Sequence, residues 1–451
     1  MKNAFSLLLI FVLTAFANAK DIVTISGKII NTEDGKIKIK GESFSKEIKL
    51  NTDGTFSETF SIDYIGIYVV GTSRNRTFIY LSKETQLTLN ADDNDFNTTL
   101  QFNGKGSVEN QYIAQKSKST IGITNEELYK LDESNFLKKI TEIKNTIMVF
   151  YHNTTFKDLN FKDNEAKNIT YLEQLYILNY PSYHAYYAKI EGFKVSENFP
   201  KFDKTIDLDN DATFLFSNTY RQIVIAKFNE KTESQLTPDD KTTAKYALPI
   251  IKTYKSQNIK NALVQGLSFE ISAGNSESEK LYNELIAIST DAQFKENLKI
   301  KFDKIKTLVI GKPSPKFDYE NHKGGKTALE SLKGKYVYID VWATWCGPCR
   351  KEIPSLKKVE EQYLQKNIAF VSISIDALKD HEKWNRLVTE KQLGGIQLFA
   401  DNDWNSQFVK EYAIDGIPRF ILIDPNGNIV SADAPRPSDP KLIDLFNNLK
   451  L

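Results

Sequence analysis

Two cysteines, Cys346 and Cys349, are all that this 451-residue chain contains. No disulfide can therefore tie distant parts of it together, and a pair only three positions apart is either redox-active or half of a metal site. The length suggests about three domains. Composition is that of an ordinary globular chain, 41% hydrophobic and 26% charged, so sizeable apolar cores are available. A formal net charge of +1 gives no global field to recruit nucleic acid or anionic lipid.

The first 19 residues read as an export signal. Lys2 supplies positive charge, Phe5 to Phe16 form a short apolar run, and Ala17-Asn18-Ala19 fits a cleavage site. The alternative is an N-terminal anchor, but the run is short for a bilayer span and no cysteine follows it to accept lipid. No other stretch reaches membrane-spanning length, so a mature chain with no transmembrane segment is expected. Export places the two cysteines where disulfides persist.

Three kinds of pattern follow. Residues 20–106 alternate apolar and polar positions, most strictly in Lys36-Ile37-Lys38-Ile39-Lys40, with Asp34-Gly35 and Asp53-Gly54 as turn signals. About seven short strands predict an all-β sandwich. Residues 107–305 carry helical periodicity. Thr124 and Glu127 form a capping-box pattern, then Phe136, Ile140, Ile143 and Ile147 recur at helical spacing. Further helices are predicted near 163–179, 239–257 and 277–304, and the aromatic stretch Tyr180–Tyr187 is expected to pack between helices. Residues 306–451 alternate β and α from about Gly311. Tyr336–Trp342 and Ile368–Ile375 read as strands buried on both faces. Ile353, Leu356, Val359, Tyr363 and Leu364 fall on one helix face. Later helices are expected at 379–391, 404–412 and 438–449. Short strands are expected at Ile396–Ala400, Phe420–Ile423 and Asn428–Val430. The chain is thus expected to be multi-domain: a sandwich, a helical middle and a C-terminal α/β module.

The cysteines stand between a buried-type strand and the start of a helix, in Trp-Cys-Gly-Pro-Cys. Free N–H groups and the positive dipole end at a helix start favour a thiolate at Cys346, and the thiolate is the attacking species in disulfide exchange. Cys349, one turn on, is within reach to resolve a mixed disulfide. Gly347 leaves the first thiol approachable, and Pro348 sits in the first turn, where its missing N–H costs little. Structural zinc wants four ligands, and His152, His184, His322 and His381 are scattered. Haem attachment would want His at position 350, where Arg350 stands. A peroxide-reducing site would want Thr or Ser at position 343, where Ala343 stands. No metal and no cofactor are called for.

On these residues the last third of the chain resembles the thioredoxin fold, and within it the exported TlpA/ResA-like thiol–disulfide oxidoreductases. The likeness runs through Gly311–Phe317, Leu329–Lys335 and Trp342–Pro354. It implies that Pro418 of Gly416-Ile417-Pro418 is cis and faces the disulfide, with the Ile417 backbone pairing an extended substrate segment; otherwise Pro418 merely starts the next strand. It implies that Asp340 is a buried acid beneath Cys349, able to exchange a proton with it. Many members of the exported branch lack that acid. Glu352 matches an acid on the family's active-site helix and either tunes the thiols or is a solvated helix residue. Trp345 is expected to pack beside the disulfide and shield it, and Pro354 to kink the helix. Gly54-Thr55-Phe56, Phe78–Leu81 and Gly104–Asn110 resemble the small β-domain that precedes thioredoxin modules in many exported Bacteroidetes-type proteins.

The function this implies is reduction of disulfides in exported, most readily periplasmic, proteins, with apocytochromes among the conceivable substrates and a membrane thiol donor supplying electrons. Gly-Pro between the cysteines points to the reducing end of the range. The alternatives are a disulfide oxidase or isomerase, or a binding scaffold with an accessory redox module.

Overall fold

A computed structural model describes residues 21–451 apart from positions 43, 121, 238, 239, 241 and 274; the expected export signal at 1–19 lies outside the described residues. The chain forms two compact units that divide between Glu230 and Lys231.

The first unit opens with strands β1 (Asp21–Ile30), β2 (Lys36–Lys40), β3 (Ser45–Lys49), β4 (Thr55–Ile62), β5 (Gly66–Gly71), β6 (Arg76–Leu81), β7 (Gln86–Asp92) and β8 (Gln101–Lys105). They make two four-stranded sheets, ordered β4-β1-β7-β8 and β3-β2-β5-β6. Alternation decides the faces: Ile37 and Ile39 are fully buried while Lys38 and Lys40 point out. Val23, Ile25 and Leu89 from one sheet share a core with Ile39, Val70 and Ile79 from the other, which is the expected sandwich. One pairing is not antiparallel: β1 runs parallel to β7. There Gly27 sits so close to Leu89 that a methyl group would fall 1.8 Å from its carbonyl oxygen, and its φ of +148° suits glycine.

Helices follow, and several expected spans shift. Thr124 and Glu127 do form a capping box, but it caps the short helix Asn125–Tyr129; the long helix Glu133–Asn153 starts from its own cap, Asp132. Phe136, Ile140, Ile143 and Ile147 line its buried face. The span expected at 163–179 extends to Leu159–Ala188 and absorbs the aromatic stretch. Tyr180 and His184, one turn apart, are buried, whereas Tyr183 and Tyr186 are exposed, so only one face of that stretch packs.

The second unit begins with helices Ala244–Thr253, Gln257–Leu267, Ser278–Ile288 and Ala292–Ile305. The span expected at 239–257 narrows to Ala244–Thr253, and a helix not expected from the sequence follows at Gln257–Leu267 with Ser256 as its cap; the span expected at 277–304 breaks in two where Asp291 caps a new helix. Strands β9 (Asp318–Asn321), β10 (Lys326–Ala328), β11 (Tyr336–Trp342), β12 (Ile368–Ser374), β13 (Ile396–Phe399), β14 (Arg419–Ile423) and β15 (Ile429–Ser431) form one sheet, ordered β10-β9-β13-β12-β11-β14-β15. The β9–β10 hairpin, turning at Gly324-Gly325, was not foreseen. β11 lies mid-sheet, parallel to β12 and antiparallel to β14, which is why its run is apolar throughout. Its period of two sets Tyr338, Asp340 and Trp342 on one face. Tyr338 shares a core with Leu356 and Val359 of the helix Gly347–Gln362, so that helix covers the Asp340 face. Pro354 sits inside this helix without ending it, and Leu364, expected on its apolar face, lies past its end at Gln362 and is exposed. The expected helix 404–412 narrows to Gln407–Glu411 after a short 3-10 turn at Asp403–Asn405.

Candidate active site

β11 ends at Trp342, and four residues later Cys346 caps the helix that begins at Gly347. Cys346 has extended backbone angles, and its Sγ accepts a hydrogen bond from the Cys349 N–H at 3.1 Å. This is the N-cap geometry usually filled by a hydroxyl or carboxylate. A helix N-terminus of this kind, with a free N–H and the positive dipole end, is where a thiolate is favoured. Here Cys346 and Cys349 are joined as a disulfide, and both are nearly buried. Gly347 and Pro348 occupy the first two helical positions, and nothing lies within 4 Å of where a Gly347 side chain would start.

The Ile417–Pro418 peptide bond is cis, and the Ile417 carbonyl oxygen stands 3.8 Å from Cys346 Sγ. The loop is held by the helix Ala292–Ile305. From there Lys301 reaches Asp415, two residues before Ile417, and also donates to the Ser268 carbonyl. Burial pulls the Lys301 pKa below the ordinary lysine value, and Asp415 opposes that shift. Beside this loop runs a groove of about 680 Å³, lined by Gly416, Ile417 and Pro418 on one side, by Phe269 and Ser272 on another, and by Arg436.

The remaining expected residues divide. Asp340 is buried, and burial, then the negative charges of Glu352 and Glu360, push its pKa up to about 8. Glu352 is also buried, not a solvated helix residue. Its carboxylate accepts from the Ser438 N–H at 3.0 Å and the Ser438 hydroxyl at 2.9 Å. Trp345 is half-exposed, with its ring 6.3 Å from that of Trp404.

One residue of the site was not foreseen. Asp376, fully buried just past β12, accepts from the Thr344 N–H (2.9 Å), the Thr344 hydroxyl (2.7 Å) and the Ser374 hydroxyl (2.7 Å). It thereby pins the turn that delivers Cys346. Its only sequence signal was an acid closing an apolar strand run.

The matches to known proteins cover this part of the chain. The AhpC/TSA family matches residues 310–432. The thioredoxin-like protein YneN of Bacillus subtilis is 37% identical over 119 residues, which is 26% of this chain and 68% of YneN. The thiol–disulfide oxidoreductase ResA of Bacillus anthracis is 30% identical over 123 residues, 27% of this chain and 68% of ResA. Among solved structures, the thioredoxin domain of a thiol–disulfide oxidoreductase from Bacteroides vulgatus is 30% identical, covering 32% of this chain and 98% of that domain at a TM-score of 0.29. With a dithiol pair at the start of the helix and these relatives matched over two thirds of their length, the chain belongs to the ResA-like, thioredoxin-fold thiol–disulfide oxidoreductases.

Proposed function

We propose that the chain reduces disulfides of exported proteins, with Cys346 as the attacking thiol and Cys349 as the resolving one. The observation that carries this reading is the Cys346 sulfur capping its helix, with the Cys349 N–H at 3.1 Å and the Ile417 carbonyl at 3.8 Å. An extended substrate segment pairs with the Ile417 backbone and lies along the adjoining groove. The Cys346 thiolate attacks one substrate sulfur; a mixed disulfide forms and the other substrate sulfur leaves as a thiolate. Cys349 then gives its proton to Asp340 and attacks Cys346, which frees the substrate and leaves the Cys346–Cys349 disulfide. Two electrons from a membrane thiol donor restore the dithiol. Trp345, Gly347, Pro348 and Pro418 form the surface around the attacked sulfur. Glu352, anchored by Ser438, sets the charge behind Asp340. The expected export signal and the family likeness support a periplasmic location.

Cys349→Ser should trap mixed disulfides with substrate through Cys346, and Cys346→Ser should trap none; the reverse pattern overturns the assignment. A reduction potential of about −270 to −220 mV supports reduction, because the Gly-Pro dipeptide belongs to that range, whereas about −120 mV makes the chain a disulfide donor.

A further inference from the structure

Among the described residues, four buried side-chain polar atoms have no hydrogen-bond partner, and three of them belong to residues around one small cavity: Asp340 Oδ1, Trp342 Nε1 and Gln397 Oε1. These residues are 7%, 2% and 6% exposed. Buried polar atoms left unpaired are uncommon and each is costly. That their three residues line one space of about 10 Å³ between β11 and the helix Gly347–Gln362 points to a site for one water molecule, which needs about that volume and two to four polar partners. A water there would accept from the Trp342 indole N–H and donate to Asp340 Oδ1 and Gln397 Oε1. The Gln397 amide is oriented for this, because its NH₂ group donates to the Gly394 carbonyl at 2.7 Å.

The same cavity is lined by Glu360. Eleven residues after Cys349 is about three helical turns, so the two share a helix face. The Glu360 carboxylate rests against Gly394: a methyl group at position 394 would fall 2.2 Å from its Oε2. The Gly394 backbone does not itself require glycine, since its φ is not positive; the space for the carboxylate does. Glu360 lines the cavity and is only partly buried. The other charged or titratable groups that act on this region are Glu352 and Lys357 on the same helix and Tyr338 on β11. The Lys357 amine is engaged by the Lys391 carbonyl.

We propose that this cavity binds a water linking Asp340 to Glu360, and that Glu360 is the outlet through which the proton taken from Cys349 reaches solvent. This rests on the dithiol mechanism above. Cys349 S–H gives its proton to the Asp340 carboxylate, and the Cys349 thiolate forms the sulfur–sulfur bond that expels the substrate. Asp340 passes a proton to the water, and the water gives one to the Glu360 carboxylate, which releases it outside. No electron moves in these last steps. Burial pushes the Glu360 pKa up to about 7, with Lys357 opposing, so it and Asp340 can exchange a proton near neutrality.

Two measurements on the full chain test this. In ¹⁵N-labelled protein, the Trp342 indole proton should show a cross-peak to a long-lived water; a resolved indole signal without one overturns the water site. In single-turnover release from a mixed disulfide, Glu360→Gln should slow resolution about tenfold and lose the rate limb near pH 7, with the loss restored by added imidazole. Gly394→Ala should reproduce the defect by displacing the carboxylate. Resolution in Glu360→Gln with the rate and buffer dependence of the parent overturns the outlet. Trapping by Cys349→Ser separates the two levels: if the trap forms but Glu360→Gln is silent, the outlet alone fails; if the trap does not form, the dithiol roles fail.

Discussion

Two buried aspartates flank the active-site turn, and they are built in opposite ways. Asp376 accepts hydrogen bonds from Thr344 and from Ser374 and holds a loop in place. Asp340, on the neighbouring strand, has an oxygen with no partner and shares its surroundings with Glu352 and Glu360. Burial alone does not decide what a carboxyl group does. Donors around it make it a fixed anchor for the turn; without them its charged form is disfavoured and it can store a proton.

The sharpest test replaces each acid with its amide. The unfolded chain gives up the Asp340 proton near pH 4, whereas the folded chain keeps it to about pH 8. The folded state therefore binds the extra proton between these values, and stability falls as pH rises through them. Asp340→Asn should remove that slope and stabilise the protein by on the order of 5 kcal/mol at pH 8, with little gain at pH 4. Urea unfolding at several pH values measures it. Asp376→Asn should act in the other direction, costing about 2–3 kcal/mol, because its NH₂ group would face donors. If both substitutions shift stability with the same sign, the contrast is broken. Thr344→Val removes one hydroxyl bond to Asp376 and should cost about 1.5 kcal/mol, while also slowing Cys346 alkylation if the turn loosens. The smallest stability effect is expected for Lys301→Met, less than about 1 kcal/mol, since Asp415 remains partly exposed. Its effect should fall on turnover of folded protein substrates, with small disulfides spared.

The strand–turn–helix around Cys346 and Cys349 was legible because its signals are local: an apolar run, a helix-start Pro-Cys pair and an amphipathic face. The sandwich was legible for the same reason, in strict alternation such as Lys36–Lys40. Asp376, Gln397 and Gly394 were not, because each matters only through a residue brought to it by folding. Glu352 shows the limit most plainly. Its place on the helix was readable, but the partner that buries it, Ser438, lies 86 positions on. The helix break at Asp291 was not legible because its cap interrupts a periodic run without a proline or glycine. The division after Glu230 falls within the helix Asn218–Glu233, where composition gives no mark.

The hold of Lys301 on Asp415 has an engineering consequence. A redox cassette excised from residue 306 onward would carry away the substrate loop but leave behind the ammonium that steadies it. Transplanted into another protein, such a cassette keeps its sulfur chemistry and loses part of its fit to large substrates; one excised from Lys231 takes the clamp along. The natural unit for transplantation thus starts at Lys231, some 75 residues before residue 306.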